Sequence, residues 1–267
     1  GLFEHYGLDL EIVKMIGGSE TGPALSDGQI QLMHIGMSSV VRANARGFNV
    51  VTIGSLSNVI RSTLFAAPGI TSPEELMGQV IGISSVGSES ELSTLVALER
   101  LGLSRHHVTL EEIGTLRLPY IRDGKVAASM LGEPYRSEAM AEGIHVLSDM
   151  LVDRIPWLYS GLVVDKNYLK NKRDTVLRAL RAIIEGNYMA VTEPAHAKKV
   201  MAQVLDITNT KNLNITYDNF REYTPMNTEV TREGAKAIIA TVDAPGASRN
   251  LDDYIDESLH EELKNEG

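Results

Sequence analysis

The passage from Val80 to Leu103, VIGISSVGSESELSTLVALERLGL, is the stretch that most narrows what this chain can fold into. A short apolar run, Val80 to Ile83, turns through Ser84, Ser85, Val86 and Gly87. Leu92, Leu95, Val96 and Leu98 then recur at mostly helical spacing before Gly102 and Leu103. The pattern predicts a buried strand feeding directly into a helix. The first N–H groups of such a helix are unpaired and carry partial positive charge, so hydroxyl residues beside them can host an anion. Ser84, Ser85, Ser88 and Ser90 are the candidate contacts. A second reading is an ordinary capping box made by Ser88 and Glu91, with no ligand. Glu89 and Glu91 would repel an anion placed there unless they point to solvent.

Composition limits the other possibilities. At 267 residues, 43% hydrophobic and 22% charged, the chain is long enough for two modest domains or one large one. Its net charge of -10 argues against nucleic acid, which needs clustered Lys and Arg. Any anion must therefore be held locally, by backbone dipoles, against the overall field. Without cysteine there is no thiol catalysis, cysteine metal site or disulfide. No cofactor is expected. His106 and His107 are adjacent, while His5, His34, His145, His196 and His260 are scattered, so none shows metal-ligand spacing. No apolar run approaches the roughly 18 residues a membrane span requires.

The chain opens on GLFEHYGLDLEIV, a helix end followed by a strand over Leu8 to Ile16, with no signal peptide. A start in mid-fold is expected. A helix is expected around Pro23 to Leu25, a strand over Ile30 to Ile35, a turn at Gly36 to Ser39, a helix over Val40 to Arg46 and a strand over Val50 to Ile53. Ser72, Pro73 and Glu75 form a capping box. Further strands are expected over Val108 to Ile113, Val126 to Leu131, Ile144 to Leu147 and Trp157 to Val164. Helices are expected over Leu116 to Arg122 and Arg136 to Glu142. Asp174 to Val191 is the longest helix, and others cover Ala195 to Leu205, Tyr217 to Tyr223, Glu229 to Val242 and Leu251 to Leu263. This alternation predicts an α/β fold.

Two segments share one plan. ALSDGQIQLMHIGMSS (Ala24 to Ser39) and LPYIRDGKVAASMLGEPY (Leu118 to Tyr135) each run from a helix end through an Asp-Gly turn and an apolar strand to a loop with ligand-contacting groups. The echo implies two similar lobes, each presenting a loop at a strand's carboxyl end, with the cleft between them as the expected site.

The motifs GLFEHYGLDLEIV, GGS, ALSDGQIQLMHIG, ANARG, SPEELMGQVIGISSVGSES, LGEPY and YIDESLHEEL resemble, in order and along nearly the whole chain, the substrate-binding proteins of ABC importers for nitrate, sulfonates and taurine. That group also includes binders of thiamine-pyrimidine precursors. The resemblance implies a periplasmic-binding-protein type II-like fold: two α/β lobes joined by two crossing strands, with residues 1–63 and 163–267 as lobe 1 and 64–162 as lobe 2. Family members usually begin with a strand and helix ahead of the position of Gly1, so the first strand of lobe 1 is expected to be missing here.

The resemblance further implies a monomeric, non-catalytic receptor, periplasmic or anchored outside the membrane as a lipoprotein. It would deliver a small anionic or zwitterionic solute to a membrane permease. Carried over residue by residue, the ligand contacts are Gly18, Ser19, Ser38, Ser39, Ser84, Ser85, Gly87, Ser88 and Glu133, with Trp157 and Tyr159 as wall residues. Glu133 would either accept from a ligand amine or hold its own loop. Trp157 would either stack on ligand or pack a lobe. The alternatives are a pyrimidine or aromatic carboxylate as ligand, an enzyme on the same fold, and the effector half of a transcription regulator.

Overall fold

The computed structural model describes residues 1–15 and 20–265. The chain begins with α1 (Leu2–His5), α2 (Thr21–Ser26), β1 (Met33–Ile35), α3 (Met37–Ala45), β2 (Val50–Val59) and β3 (Thr63–Ala66). Next come β4 (Val80–Ile83), α4 (Glu89–Arg100), β5 (Thr109–Glu112), α5 (Arg117–Arg122), β6 (Ala128–Leu131), α6 (Tyr135–Ala141) and β7 (Val146–Asp149). The remainder is β8 (Pro156–Asp165), α7 (Lys166–Asn171), α8 (Arg173–Thr192), α9 (Pro194–Val204), α10 (Thr210–Tyr223), α11 (Arg232–Thr241) and α12 (Ser258–Asn265).

Two compact units result. The first comprises Gly1–Asn58, Pro156–Val200 and Phe220–Gly267, and the second Val59–Ile155 and Met201–Asn219. Residues 201–219, placed with lobe 1 on sequence, cluster with the second unit.

In the first unit the strand order is β1-β8-β2, with β1 antiparallel to β8. The apolar face of α8, Val176, Leu177 and Leu180, packs with Val51, Ile53, Leu162 and Val164 of the strands and with Leu169 and Leu259. Each such side chain contributes about 1.5 to 3 kcal/mol when fully buried. Gly234 in α11 lets that helix approach β8 closely: a Cβ there would stand 2.5 Å from Trp157 N and 2.6 Å from Trp157 C.

In the second unit the order is β5-β4-β6-β3-β7. β4 runs parallel to both β5 and β6, whereas β3 is antiparallel to β6 and β7. Phe65, Leu131, Ile113, Leu118, Ile121, Val126 and Ala139 form the core.

The Asp-Gly echo holds for the two bonds that close each helix end. In the first copy Asp27 N donates to Pro23 O (2.8 Å) and Gly28 N to Leu25 O (3.2 Å); in the second Asp123 N donates to Pro119 O (3.0 Å) and Gly124 N to Ile121 O (3.1 Å). Both glycines have positive φ, 72° and 64°, where a side chain would be strained.

Three expectations need correction. Leu8–Met15 is not a strand; Ile16 lies outside the described residues. A strand needs a neighbour to take its N–H and C=O groups, and no described strand pairs with this segment, which leaves Ile12 80% exposed. The helix expected after Gly36 starts earlier, at Met37, so Ser38 and Ser39 sit inside its first turn rather than in a loop. Leu251 to Leu263 is not one helix. It breaks because Ile255 is drawn into a parallel bridge with Thr52 of β2: Thr52 N donates to Tyr254 O and Asp256 N to Thr52 O, each at 2.9 Å.

Candidate functional site

In the second unit the strand-to-helix passage stands as read: β4, a turn, then α4 with Ser88 as its N-cap. β4 is central and buried because Gly82 admits a neighbour; a Cβ there would lie 2.2 Å from Ile113 Cδ1. The turn closes through Gly87 at φ 79°, a left-handed conformation suited to glycine. Ser84, Ser85, Gly87 and Ser88 are therefore brought together at the carboxyl end of a central parallel strand. The carboxyl end of the adjacent parallel strand β6 leads to Glu133, so both loops leave the same edge of the sheet.

The hydroxyls of this turn are largely satisfied by one another. Ser84 Oγ donates to Ser88 Oγ (2.9 Å) and shares a bond with Ser90 Oγ (2.8 Å), while Ser84 N donates to Ser90 Oγ (2.7 Å). Ser88 Oγ donates to Ser85 O at 2.6 Å and accepts from Glu91 N at 3.4 Å. The capping box is only half made, since the Glu91 carboxylate takes the N–H of Gly87 (2.6 Å) instead of that of Ser88. Glu112, at the end of β5, accepts the Val86 N–H. Two carboxylates of the protein thus occupy donors that an anion would seek. Ser85 is different: its N–H and hydroxyl have no partner among the described residues and are half-exposed.

Glu133 is held inside its own unit. Its Oε2 accepts from Ser137 N (3.1 Å) and Ser137 Oγ, while Oε1 accepts from Asn219 Nδ2 (2.7 Å) and lies 3.5 Å from Arg136 Nη1. Arg136 is 7% exposed, and also bonds Asp149 Oδ2 (2.6 Å) and Thr63 Oγ1 (2.8 Å). Thr63 in turn donates to Asp149 Oδ1 (2.8 Å). This buried network ties the β6–α6 loop to β3 and β7, and the carboxylate lone pairs are spent on it.

The other sequence-predicted residues belong to the first unit. Ser38 and Ser39 are buried, at 0% and 4% exposure. Trp157 is buried on β8 beneath Gly234, in a packing position, and Tyr159 on the same strand is half-buried. Gly18 and Ser19 lie outside the described residues. Sequence reading missed Glu112, Asp149 and Asn219 because each reaches the site from a distant element, and missed Arg136, three residues after Glu133, because its partners Thr63 and Asp149 come from other strands.

His260, read as one of several scattered histidines, is buried in α12. Its Nε2 lies 3.0 Å from Thr228 Oγ1 and 3.1 Å from Asn227 O. Burial lowers its pKa from 6.5, opposed by the bond to Asn227 and by Glu229 and Glu257, and reinforced by Lys264. The unfolded chain therefore takes up this proton first as pH falls. Stability is full above about pH 6.5 and declines as pH drops through the lowered folded pKa. Urea denaturation at pH 7.5 and pH 5 should show a smaller acid-induced loss for His260→Gln than for the parent chain; equal losses would remove His260 as a cause.

The NMT1/THI5 like family model matches residues 1–197, well over half of the chain. The chain belongs to the NMT1/THI5-like family. A curated relative, the riboflavin-binding protein RibY of Chloroflexus aurantiacus, is 25% identical over 173 residues, covering 63% of this chain and 49% of RibY. The chain thus spans about half the length of that relative. A structure from Bordetella bronchiseptica RB50 has a TM-score of 0.83 at 17% identity, over 100% of this chain and 90% of the other. The alkanesulfonate-binding protein SsuA from Xanthomonas axonopodis pv. citri, bound to MOPS, has a TM-score of 0.76 at 18% identity, over 90% and 83%. Likeness at these identities establishes the fold of this NMT1/THI5-like chain as that of the periplasmic binding proteins. No helix among the described residues is long and apolar enough to cross a membrane.

Proposed function

We propose that this chain is the solute receptor of an ABC importer, binding a small solute without altering it and passing it to a membrane permease. Membership of the NMT1/THI5-like family supports the receptor reading, as does the binding-protein fold. It acts as a monomer outside the cytoplasmic membrane, in the periplasm or as an anchored lipoprotein. The observation that carries the site is the β4–turn–α4 passage. There Ser85 offers an open N–H and hydroxyl beside Ser84, Gly87 and Ser88, on the same sheet edge as the Glu133 loop. Ser38 and Ser39, with Trp157 and Tyr159 as wall residues, are the contacts proposed for the first unit; Gly18 and Ser19 complete the proposed set.

Of the anionic and zwitterionic solutes, the zwitterionic amino-sulfonates fit best. Glu91 and Glu112 already sit on the Gly87 and Val86 donors, so a bare oxyanion such as nitrate meets like charge. The same two carboxylates, together with the riboflavin-binding relative, favour an uncharged ring-bearing solute such as a pyrimidine as the second reading.

Calorimetric titration with taurine, an alkanesulfonate, nitrate, a pyrimidine and riboflavin tests this. Saturable binding of taurine is expected, with recovery of unchanged solute. A product formed from the solute, or binding of nitrate alone, would overturn the reading. Gly87→Leu, which forces a side chain into φ 79°, should weaken binding at least tenfold, about 1.4 kcal/mol. Glu91→Gln with Glu112→Gln should tighten the alkanesulfonate about tenfold. Unchanged affinity in all of these variants would remove the passage from the site.

A further inference from the structure

A cavity of about 500 Å3 lies within the first unit, lined by Tyr6 just after α1, by α8 and α12, and by the loop before α11. Its size falls in the usual range for small-molecule sites, roughly 300 to 1,000 Å3. Ile184 and Leu263 supply apolar wall, and Tyr6 and Tyr188 supply aromatic surface.

The polar groups here are unbalanced toward acceptors. Tyr6 donates its phenolic hydrogen to Glu185 Oε2 (2.8 Å), and Tyr188 donates its own to Asn227 Oδ1 (2.7 Å). Each phenol oxygen is then left as an acceptor. His260 adds a third. Its Nε2 faces the Asn227 carbonyl, which can only accept, so Nε2 carries the hydrogen. In this neutral tautomer Nδ1 is a lone pair to which no described residue donates, and His260 lines the cavity. A ligand donor would complete the hydrogen bonding of the ring. The charges nearby come in both signs: Glu185 and Glu229 face Arg181 and Lys264, and Lys264 pairs with Glu229 at 2.9 Å. The cavity therefore has no preference for a net charge.

We infer that this cavity is a second ligand site, taking a small uncharged ring that carries N–H or O–H donors on one edge, an amino- or hydroxy-substituted aromatic or heteroaromatic molecule. The ring lies against Ile184, Leu263 and the tyrosines, and its donor edge is read by His260 Nδ1 and the phenol oxygens. The wall is also tied to β2, because Ser55 N donates to Thr228 O (2.7 Å) and Asn58 Nδ2 to Glu229 O (2.8 Å). Occupancy would thus brace the loop that those residues hold. The site is independent of the proposed solute contacts on β4 and α4.

The test uses the whole chain with 15N-labelled histidine, titrated with 3-aminophenol, toluene and benzoate. Addition of 3-aminophenol should shift the His260 Nδ1 resonance saturably, while toluene and benzoate shift it at least tenfold less at equal concentration. Tyr188→Phe, at a half-exposed position, should weaken 3-aminophenol at least threefold, and Ile184→Trp should abolish the shift by filling the cavity. No shift at millimolar 3-aminophenol, an equal response to toluene or benzoate, or an unaltered response in Tyr188→Phe would each overturn the proposal. The Tyr188→Phe arm decides the matter if Ile184→Trp does not fold.

Discussion

Replacing Arg136 by alanine is expected to destabilise the second unit by about 3 to 5 kcal/mol, the usual cost of removing one partner from a buried ionic network. Arg136 is 7% exposed and bonds Thr63, Asp149 and Glu133 together. Its loss leaves the carboxylates of Asp149 and Glu133, 17% and 11% exposed, without their cation. Arg136→Lys keeps the charge, but its three donors leave a single nitrogen and do not reproduce the spread of Nε, Nη1 and Nη2 toward Thr63, Glu133 and Asp149. It should fall between the parent chain and the alanine variant. Urea denaturation followed by circular dichroism checks both. A loss under about 1 kcal/mol for Arg136→Ala would mean that the network is solvated and that Glu133 is free to turn outward. The Glu133 loop would then regain the ligand-amine role that its present bonds deny it.

Gly234→Ala should also be strongly destabilising, with the opposite sign to the usual one. In an open helix that change stabilises by about 0.8 to 1 kcal/mol, because alanine has the higher helix propensity. Here the new methyl would lie 2.5 Å from Trp157 N and 2.6 Å from Trp157 C. Those are backbone atoms of β8, which cannot swing aside as a side chain does, so α11 must lift from the sheet. A net loss of about 2 to 3 kcal/mol is expected from such overpacking. Trp157 is the chain's single tryptophan, so its fluorescence reports both the unfolding midpoint and the disturbance at the contact. An alanine variant as stable as its parent, with unchanged emission, would show that α11 and β8 are not pressed together.

These contacts connect the architecture to the proposed activity. A receptor of this kind needs loops that hold their shape before the solute arrives, since ordering them on binding would subtract from affinity. The Ser84–Ser88–Ser90 hydroxyl triangle and the Arg136 network each supply that order within the second unit. The cost is that few groups are left to meet the solute, and Ser85 is the clearest of them.

Much was legible before any coordinates. The β4–α4 passage, the Ser72 cap with Glu75 accepting from Ser72 N (2.9 Å), and the paired Asp-Gly turns all depend on residues within a few positions of each other. Periodicity, capping chemistry and left-handed glycines are local properties, so the one-dimensional pattern is sufficient to specify them. The family resemblance likewise rested on ordered local motifs. Leu8–Met15 shows the limit: its alternation suits a strand, yet a strand also requires an edge to pair with, and that is not written in the segment itself. Likewise Leu251 to Leu263 has helical spacing, but the pull of Thr52 on Tyr254 and Asp256 breaks it.

The roles of the charged groups were decided by the folded chain, through local and distant partners together. Whether Glu133 met a ligand or held its loop depended on Arg136, Ser137 and an amide from Asn219, 86 residues away; whether the turn after β4 was open to an anion depended on Glu112, 26 residues beyond Val86. Hydrogen bonds and ion pairs act over a few ångströms in space without regard to chain distance. A sequence therefore declares which groups are available, and only the folded chain determines which of them are already taken.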